Sequence, residues 1–279
     1  MRIAFCTDTY LPEINGVTTV LATMRRGLLE RGHQVLLVGP DYPEAATEDG
    51  VVRRPAMRCP GYPAVRLSSP LGGDVRRALA AFAPDVVHLV TEGPVGLIGR
   101  RWALRRGVPI VTSFHTDFPR YAARYLGEWA VGPTRRYLRR FHRPAALTQT
   151  PSDATRDALH ELGLGRAVTW GRGVDTACFS PRRRDAARRA GLGCDDNRPL
   201  VLHVSRLAVE KDVDTLVAAF RLAQARLGDS VRFAVAGDGP RAGWVRTELP
   251  FAAHFGFLSR ATLADLYADA DIFVFPSPT

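Results

Sequence analysis

The sequence predicts an α/β protein made of two doubly wound units, each a parallel sheet covered by helices on both faces. Three observations carry that expectation. Short apolar runs alternate with amphipathic stretches along nearly the whole chain. The runs are close to continuously apolar, which is what strands buried on both faces require. The alternation breaks once, at residues 175–198, in an interval rich in Arg, Asp and Pro with little apolar periodicity at its start. Such a polar stretch is where one domain gives way to the next. The expected units are 1–180 and 181–279.

In the first unit, strands are expected at 3–6, 35–38, 86–90, 110–114 and 146–150, with helices at 17–31, 75–82, 95–106 and 153–162. The helix from 17 stops at Gly32, and Ser152-Asp153 supplies the side-chain oxygens that start the helix from 153. In the second unit, strands at 200–204, 231–236, 254–257 and 272–275 alternate with helices at 213–227, 241–248 and 261–268. A doubly wound sheet normally continues past such a last strand, so this unit is expected to be incomplete at Thr279.

Composition bounds the function. With 279 residues, 46% of them apolar, the chain can fill two cores. Cys6, Cys59, Cys178 and Cys194 lie far apart with no Cys-x-x-Cys pair, which argues against a disulfide framework or a zinc site and fits a reducing cytoplasm. The N-terminus has an apolar run of only four residues, and no apolar segment is long enough to span a bilayer. The net charge of +10 points to an anionic partner without naming it, and no zinc-finger or RNA-recognition signature accompanies the arginines.

Lys211 is the only lysine among 38 basic residues. It lies in Arg206-Leu-Ala-Val-Glu210-Lys211, directly after the strand expected at 200–204. A guanidinium fork holds two oxygens at once, whereas an ammonium is a compact point charge. The two together at a strand end suit an anion with many oxygens, such as a diphosphate. The competing account is an arginine bias that leaves its one lysine there by chance.

Open α/β sheets keep their chemistry in the loops at the C-terminal ends of strands. The first such loop, Thr7 to Val17, contains Pro12-Glu-Ile-Asn15-Gly16-Val17, and Gly16 at a helix start lets an anion approach backbone N–H donors. A second, Ser113-Phe-His115-Thr-Asp117, presents a histidine able to donate to a sugar hydroxyl. Asp117, beside Pro119, also reads as ordinary turn chemistry. A third, Trp170-Gly171-Arg172-Gly173-Val174-Asp175, has two glycines that allow a sharp path. A fourth, Ala236-Gly237-Asp238-Gly239-Pro240, is half of a dinucleotide fingerprint; its third glycine, Gly243, comes one residue late. Asp212-Val-Asp214 and Asp269-Ala-Asp271 superficially suggest metal–sugar motifs but fit helix-start and inter-element structural roles better.

Together these loops resemble the retaining glycosyltransferases of family 4, which have the GT-B architecture of two Rossmann-like domains. The resemblance covers essentially the whole chain. It is carried by the Pro12–Val17 loop, Phe114-His115-Thr-Asp117, Arg172-Gly173-Val174-Asp175, Ser205-Arg206-Leu207 with Glu210-Lys211, Ala236-Gly237-Asp238-Gly239-Pro240 and Phe255-Gly256-Phe257-Leu258. The opening Thr7-Asp-Thr-Tyr10 with Asn15-Gly-Val17, and Trp170-Gly-Arg-Gly-Val-Asp-Thr176, look most like the branch that uses GDP-mannose. The resemblance implies that Arg206 and Lys211 hold the donor diphosphate and stabilise it as it leaves. It implies Gly16 beside the phosphates, His115 against the transferred sugar, and Gly237 with Gly256, Phe257 and Leu258 along the nucleotide base. Asn15 and Asp117 fall on the acceptor side, His115, Arg206 and Lys211 are the implied catalytic residues, and neither metal nor cofactor is expected. The family also carries a pair of glutamates that would follow Thr279, so the chain as given is expected to be inactive.

The expected function is sugar transfer, with mannose the favoured sugar and GDP-mannose favoured over a UDP-sugar as donor, to a lipid or glycan acceptor. Arg135, Arg136, Arg139, Arg140 and Arg143 share one helical face near Leu138 and Phe141, with Trp129 upstream. That pattern suits a cytoplasmic protein resting on the anionic inner face of the plasma membrane, or simply a solvated helix. A sugar-nucleotide 2-epimerase of the same architecture is the alternative enzyme, and a non-catalytic basic membrane- or nucleic-acid-binding protein the alternative class. Nucleic acid is not the expected partner.

Overall fold

The computed structural model describes residues 1–59, 62–69, 71–115, 117–171 and 173–277. The chain divides into two units, Met1–Arg172 and Gly173–Thr279. The sequence had suggested a division after residue 180. Asp175 pairs with Arg260 at 3.0 Å and Phe179 packs edge-on against Tyr267, and these contacts tie residues 175–179 to the second unit.

The first unit runs β1 (Arg2–Cys6), α1 (Gly16–Glu30), β2 (Gln34–Pro40), β3 (Val51–Arg54), β4 (Ala56–Cys59), β5 (Tyr62–Ser68), α2 (Gly73–Phe82), β6 (Val86–Leu89), α3 (Pro94–Arg106) and β7 (Ile110–Ser113). It continues with α4 (Phe118–Leu126), α5 (Val131–His142), β8 (Leu147–Thr150), α6 (Asp153–Glu161) and β9 (Ala167–Thr169). Seven strands form one parallel sheet in the order β3-β2-β1-β6-β7-β8-β9, and β4 and β5 pair as a separate antiparallel hairpin. Successive residues of β1 feed opposite faces. Ala4 and Cys6 join Val75, Leu79, Ile98 and Trp102 beneath α2 and α3, while Phe5 joins Tyr10, Leu21 and Leu37 beneath α1. Both faces are buried, which explains the near-continuous apolar runs. Helix α3 lies close to β1 because residue 99 is glycine; a Cβ there would meet Cys6 Sγ at 2.5 Å.

The second unit runs α7 (Ala186–Gly191), β10 (Leu200–Val204), α8 (Val213–Leu227), β11 (Arg232–Ala236), α9 (Ala242–Glu248), β12 (Ala253–Gly256), α10 (Arg260–Asp269) and β13 (Ile272–Phe273). Its four strands are parallel in the order β12-β11-β10-β13. Val201, Phe233 and Val235 pack under α8 and α9 with Val213, Leu216 and Phe220. Leu200, Leu202 and Ala234 face Leu266 of α10 on the other side. The fold is α/β with two Rossmann-like sheets, as expected. The hairpin, β3, β9, α4 and α7 lie outside the predicted elements, and the expected strand at 272–275 is two residues long.

Candidate functional site

In the first unit, the loop after β1 is held by its own side chains. The Asn15 amide oxygen accepts from the Val17 and Thr18 N–H groups, both at 2.9 Å, while the Asn15 N–H donates to Thr18 Oγ1 at 3.0 Å. This reciprocal cap starts α1. Asn15 Nδ2 donates to Thr9 Oγ1 at 2.9 Å. Asn15, expected on the acceptor side, is therefore the cap of α1 and the brace of its own loop. Two of the N–H donors expected to await an anion at this helix start, those of Val17 and Thr18, are already taken by Asn15. Gly16 itself is exposed at the first position of α1.

His115 follows β7 and is half-buried, and Asp117 is exposed two residues on. The adjacent strand β6 supplies a buried neighbour: His88 Nε2 lies 2.7 Å from Ser113 Oγ. Burial, reinforced by the charge of His115, pushes His88 down to about 3, so His88 is neutral across the physiological range.

Two carboxylates that the sequence reading passed over sit at neighbouring strand ends. Asp8, after β1, accepts from the Val95 N–H at 2.9 Å and from Thr91 Oγ1 at 2.7 Å, so it caps α3 from a different segment of chain. Burial raises the Asp8 pKa above the usual carboxylate value, those hydrogen bonds work against the rise, and the charge of Glu92 adds to it. Glu92, after β6, is buried beside His142, with Oε1 3.2 Å from Nε2. His142 Nδ1 in turn lies 2.9 Å from Thr112 Oγ1, which is 2.8 Å from Thr148 Oγ1, and the Tyr137 hydroxyl donates to the Glu92 carbonyl. The usable signal was position, since both acids lie in loops just past the end of a strand, as His115 does.

His142 and Tyr137 belong to α5, whose arginines 135, 136, 139 and 140 are exposed, as is Arg143 at its C-terminal end. The apolar side of this helix is not open to a lipid surface: Leu138 and Phe141 are buried in the protein's own cores. Tyr137 of α5 is 40% exposed, and more fully exposed apolar groups lie upstream, at Leu126 (61%) and Trp129 (74%).

In the second unit, three loops at strand C-terminal ends are laced together. The Ser205 N–H donates to the Ala236 carbonyl at 3.2 Å and the Leu207 N–H to the Asp238 carbonyl at 2.9 Å, placing the loop after β10 along the loop after β11. The Gly237 N–H donates to the Gly256 carbonyl at 2.7 Å, which adds the loop after β12. Gly237 has φ +125°, and a Cβ there would meet the Ser205 carbonyl oxygen at 1.8 Å. The expected residues Arg206, Gly237 and Gly256 thus belong to one cluster of loops. Phe257 beside them is 69% exposed, while Leu258 packs partly into the core under α10.

Lys211 ends a short helical turn, Val209–Lys211, that leads into α8. Its Nζ lies 5.9 Å from the centre of the Phe275 ring, and Phe275 stacks on His203 with ring centres 6.1 Å apart. Burial lowers the Lys211 pKa, and Glu210 opposes that shift. Glu210, 3% exposed, brings Oε1 to 3.9 Å from Arg206 Nη1. Beneath them His203 is buried, its Nδ1 2.8 Å from the Val274 carbonyl and its Nε2 2.8 Å from Ser205 Oγ. A carbonyl can only accept, so Nδ1 carries the proton. Burial lowers the His203 pKa despite that hydrogen bond. That shift favours the neutral ring, and the Ser205 hydroxyl beside Nε2 donates to the Arg206 carbonyl at 3.0 Å.

Arg206, Lys211 and the laced Gly-containing loops stand at the C-terminal edge of a Rossmann-like sheet, where open α/β sheets keep their chemistry. Residues 14–177 match Glycosyltransferase Family 4 and residues 198–279 match Glycosyl transferases group 1. The chain is 34% identical over 281 residues to a GDP-mannose-dependent alpha-mannosyltransferase of Mycobacterium tuberculosis, an alignment spanning 98% of this chain and 72% of that one. It is 36% identical over 285 residues to the protein of the same name from Mycolicibacterium smegmatis, spanning 99% and 73%. Among solved structures, Anabaena HepE in complex with UDP-glucose matches with a TM-score of 0.71 at 18% identity, covering 100% of this chain and 74% of that one. The chain belongs to glycosyltransferase family 4. It is a glycosyltransferase, and its fold is GT-B.

Proposed function

We propose that this glycosyltransferase moves mannose from GDP-mannose to a lipid or glycan acceptor with retention of configuration, and that Arg206 and Lys211 hold the donor diphosphate. The observation that carries the donor half is the second unit's loop cluster, where Arg206 and Lys211 both follow the C-terminal end of β10. The relatives named for GDP-mannose support the choice of sugar and base. As the bond between the sugar and the diphosphate breaks, negative charge grows on the leaving phosphate oxygens. A fork and a point charge already in place stabilise that charge without reorganising. No metal is called for in this reading. His115, at a strand end of the first unit, is the group we assign to the sugar. Gly16, Gly237, Gly256, Phe257 and Leu258 keep their assignment to the donor, and Asp117 keeps its assignment to the acceptor.

For the membrane, we favour contact through electrostatics: the α5 arginines meet anionic headgroups, with Leu126 and Trp129 as the more fully exposed apolar groups.

The test of the donor reading is Lys211→Ala. GDP affinity measured by titration calorimetry should fall about tenfold, as expected when a charge-assisted contact is lost. Wild-type affinity in that variant removes Lys211 from the site. Tighter binding of UDP than GDP by the wild-type chain transfers the proposal to a UDP-sugar.

A further inference from the structure

We propose that Glu210 is the resident counter-ion of the diphosphate site: it holds Arg206 and Lys211 in place between donors and competes with the nucleoside diphosphate for them, setting how readily that product leaves. The inference rests on the reading of Arg206 and Lys211 as diphosphate ligands.

The argument starts from burial. Glu210 is 3% exposed, and a carboxylate so placed is costly unless cations and donors surround it. Its Oε1 lies 3.9 Å from Arg206 Nη1, and its charge acts on the Lys211 ammonium as well. Glu210 therefore touches electrostatically the same two groups that the diphosphate would use. It is also fixed. The helical turn Val209–Lys211 is closed by the Lys211 N–H donating to the Ala208 carbonyl at 3.0 Å, and the Ser277 hydroxyl donates to the Glu210 carbonyl at 3.5 Å. The backbone that carries the carboxylate is therefore held beside the two cations.

Packing alone does not demand a charge here, because Gln has the same length and shape. What Glu adds is a fixed negative charge beside two cations. That charge has two effects of opposite sign on an incoming diphosphate. It orders the cations in advance, and it repels the phosphates through a partly desolvated region where such repulsion is weakly screened. We assign the larger effect to repulsion, since the backbone of the turn is hydrogen-bonded without the carboxylate and Lys211 also has the Phe275 ring beside it. An enzyme gains nothing from holding its product tightly. Glu210 acts through Arg206 and Lys211 and is a positioning residue.

Glu210→Gln removes the charge and keeps the shape. GDP and UDP affinities of the full chain are measured by calorimetry and release rates by stopped flow, for wild type, Lys211→Ala and Glu210→Gln, alongside thermal denaturation. The expected result is that Glu210→Gln binds the nucleoside diphosphate preferred by the wild type about fivefold more tightly or better and releases it more slowly, with little change in melting temperature. A purely structural role would not tighten binding. Unchanged or weaker affinity in a folded Glu210→Gln chain overturns the proposal. If that variant does not fold, Glu210→Ala removes the charge without burying an amide, and the same comparison decides. Wild-type affinity in Lys211→Ala removes the diphosphate reading itself, and this inference with it.

Discussion

Asp212 carries φ +52°, ψ +47° directly after Lys211, a left-handed backbone that costs a residue with a Cβ roughly 1–2 kcal/mol, less for Asp and Asn than for others. No side-chain cap bond offsets it. The conformation sits at the joint between the turn that presents Lys211 and the start of α8, so the strain is spent on aiming that turn. Asp212→Gly should therefore match or exceed the wild-type melting temperature, while Asp212→Val should fall by about 1–2 kcal/mol in unfolding free energy. A Val variant as stable as the wild type in thermal denaturation would mean the strain is absent. Of the residues around this joint, Arg206 and Lys211 stand out in the sequence as candidates because a single lysine in an arginine-rich chain is conspicuous. Glu210, His203 and Phe275 do not, since their importance lies in burial and stacking that neighbours in space create.

Among elements, those with both faces buried were readable and those on margins were not. β1, β2, β6 and β10 are runs of Val, Leu, Ile and Phe because helices cover both their sides. β3 mixes two valines with two arginines, and β9 has two of its three residues exposed, so neither shows the apolar run that identifies a central strand. α7 is six residues long and is recognised by its contacts, with Arg188 and Arg189 bound to Asp269 and Asp271. The start of α3 is the clearest case of a long-range signal. Its own cap residue, Gly93, has no side chain, and Asp8 serves in its place from 87 residues away in sequence. Asp8→Ala should cost about 1 kcal/mol or somewhat more, because an N-cap and a Thr91 partner are lost together. Hydrogen exchange should show the first turn of α3 opening preferentially. Unchanged protection at Val95 and Gly96 would assign the cap elsewhere.

Over the whole chain, the net charge of +10 is less a statement about partners than the sequence suggested. Many arginines are structural fasteners. Arg183, Arg184, Arg188 and Arg189 bind Asp265, Asp269 and Asp271, stitching the segment before β10 to α10 and the start of β13. The second Asp-x-Asp string is thus occupied by arginines and by the Leu200 N–H, which lies 2.8 Å from Asp271 Oδ2. This network makes the second unit acid-sensitive. Burial works to raise the Asp271 pKa, but the Leu200 N–H, Arg184 and Arg189 outweigh it and hold the value down at about 2. A carboxylate whose folded pKa lies below its unfolded one stabilises the fold above the unfolded value, near 4. That stability is lost as pH falls from about 4 through about 2 and amounts to roughly 2 kcal/mol. Asp271→Asn should lower stability at pH 7 and flatten this part of the acid limb. Chemical denaturation followed between pH 7 and pH 2 checks both effects, and a wild-type acid limb in Asp271→Asn would transfer the acid sensitivity to other carboxylates.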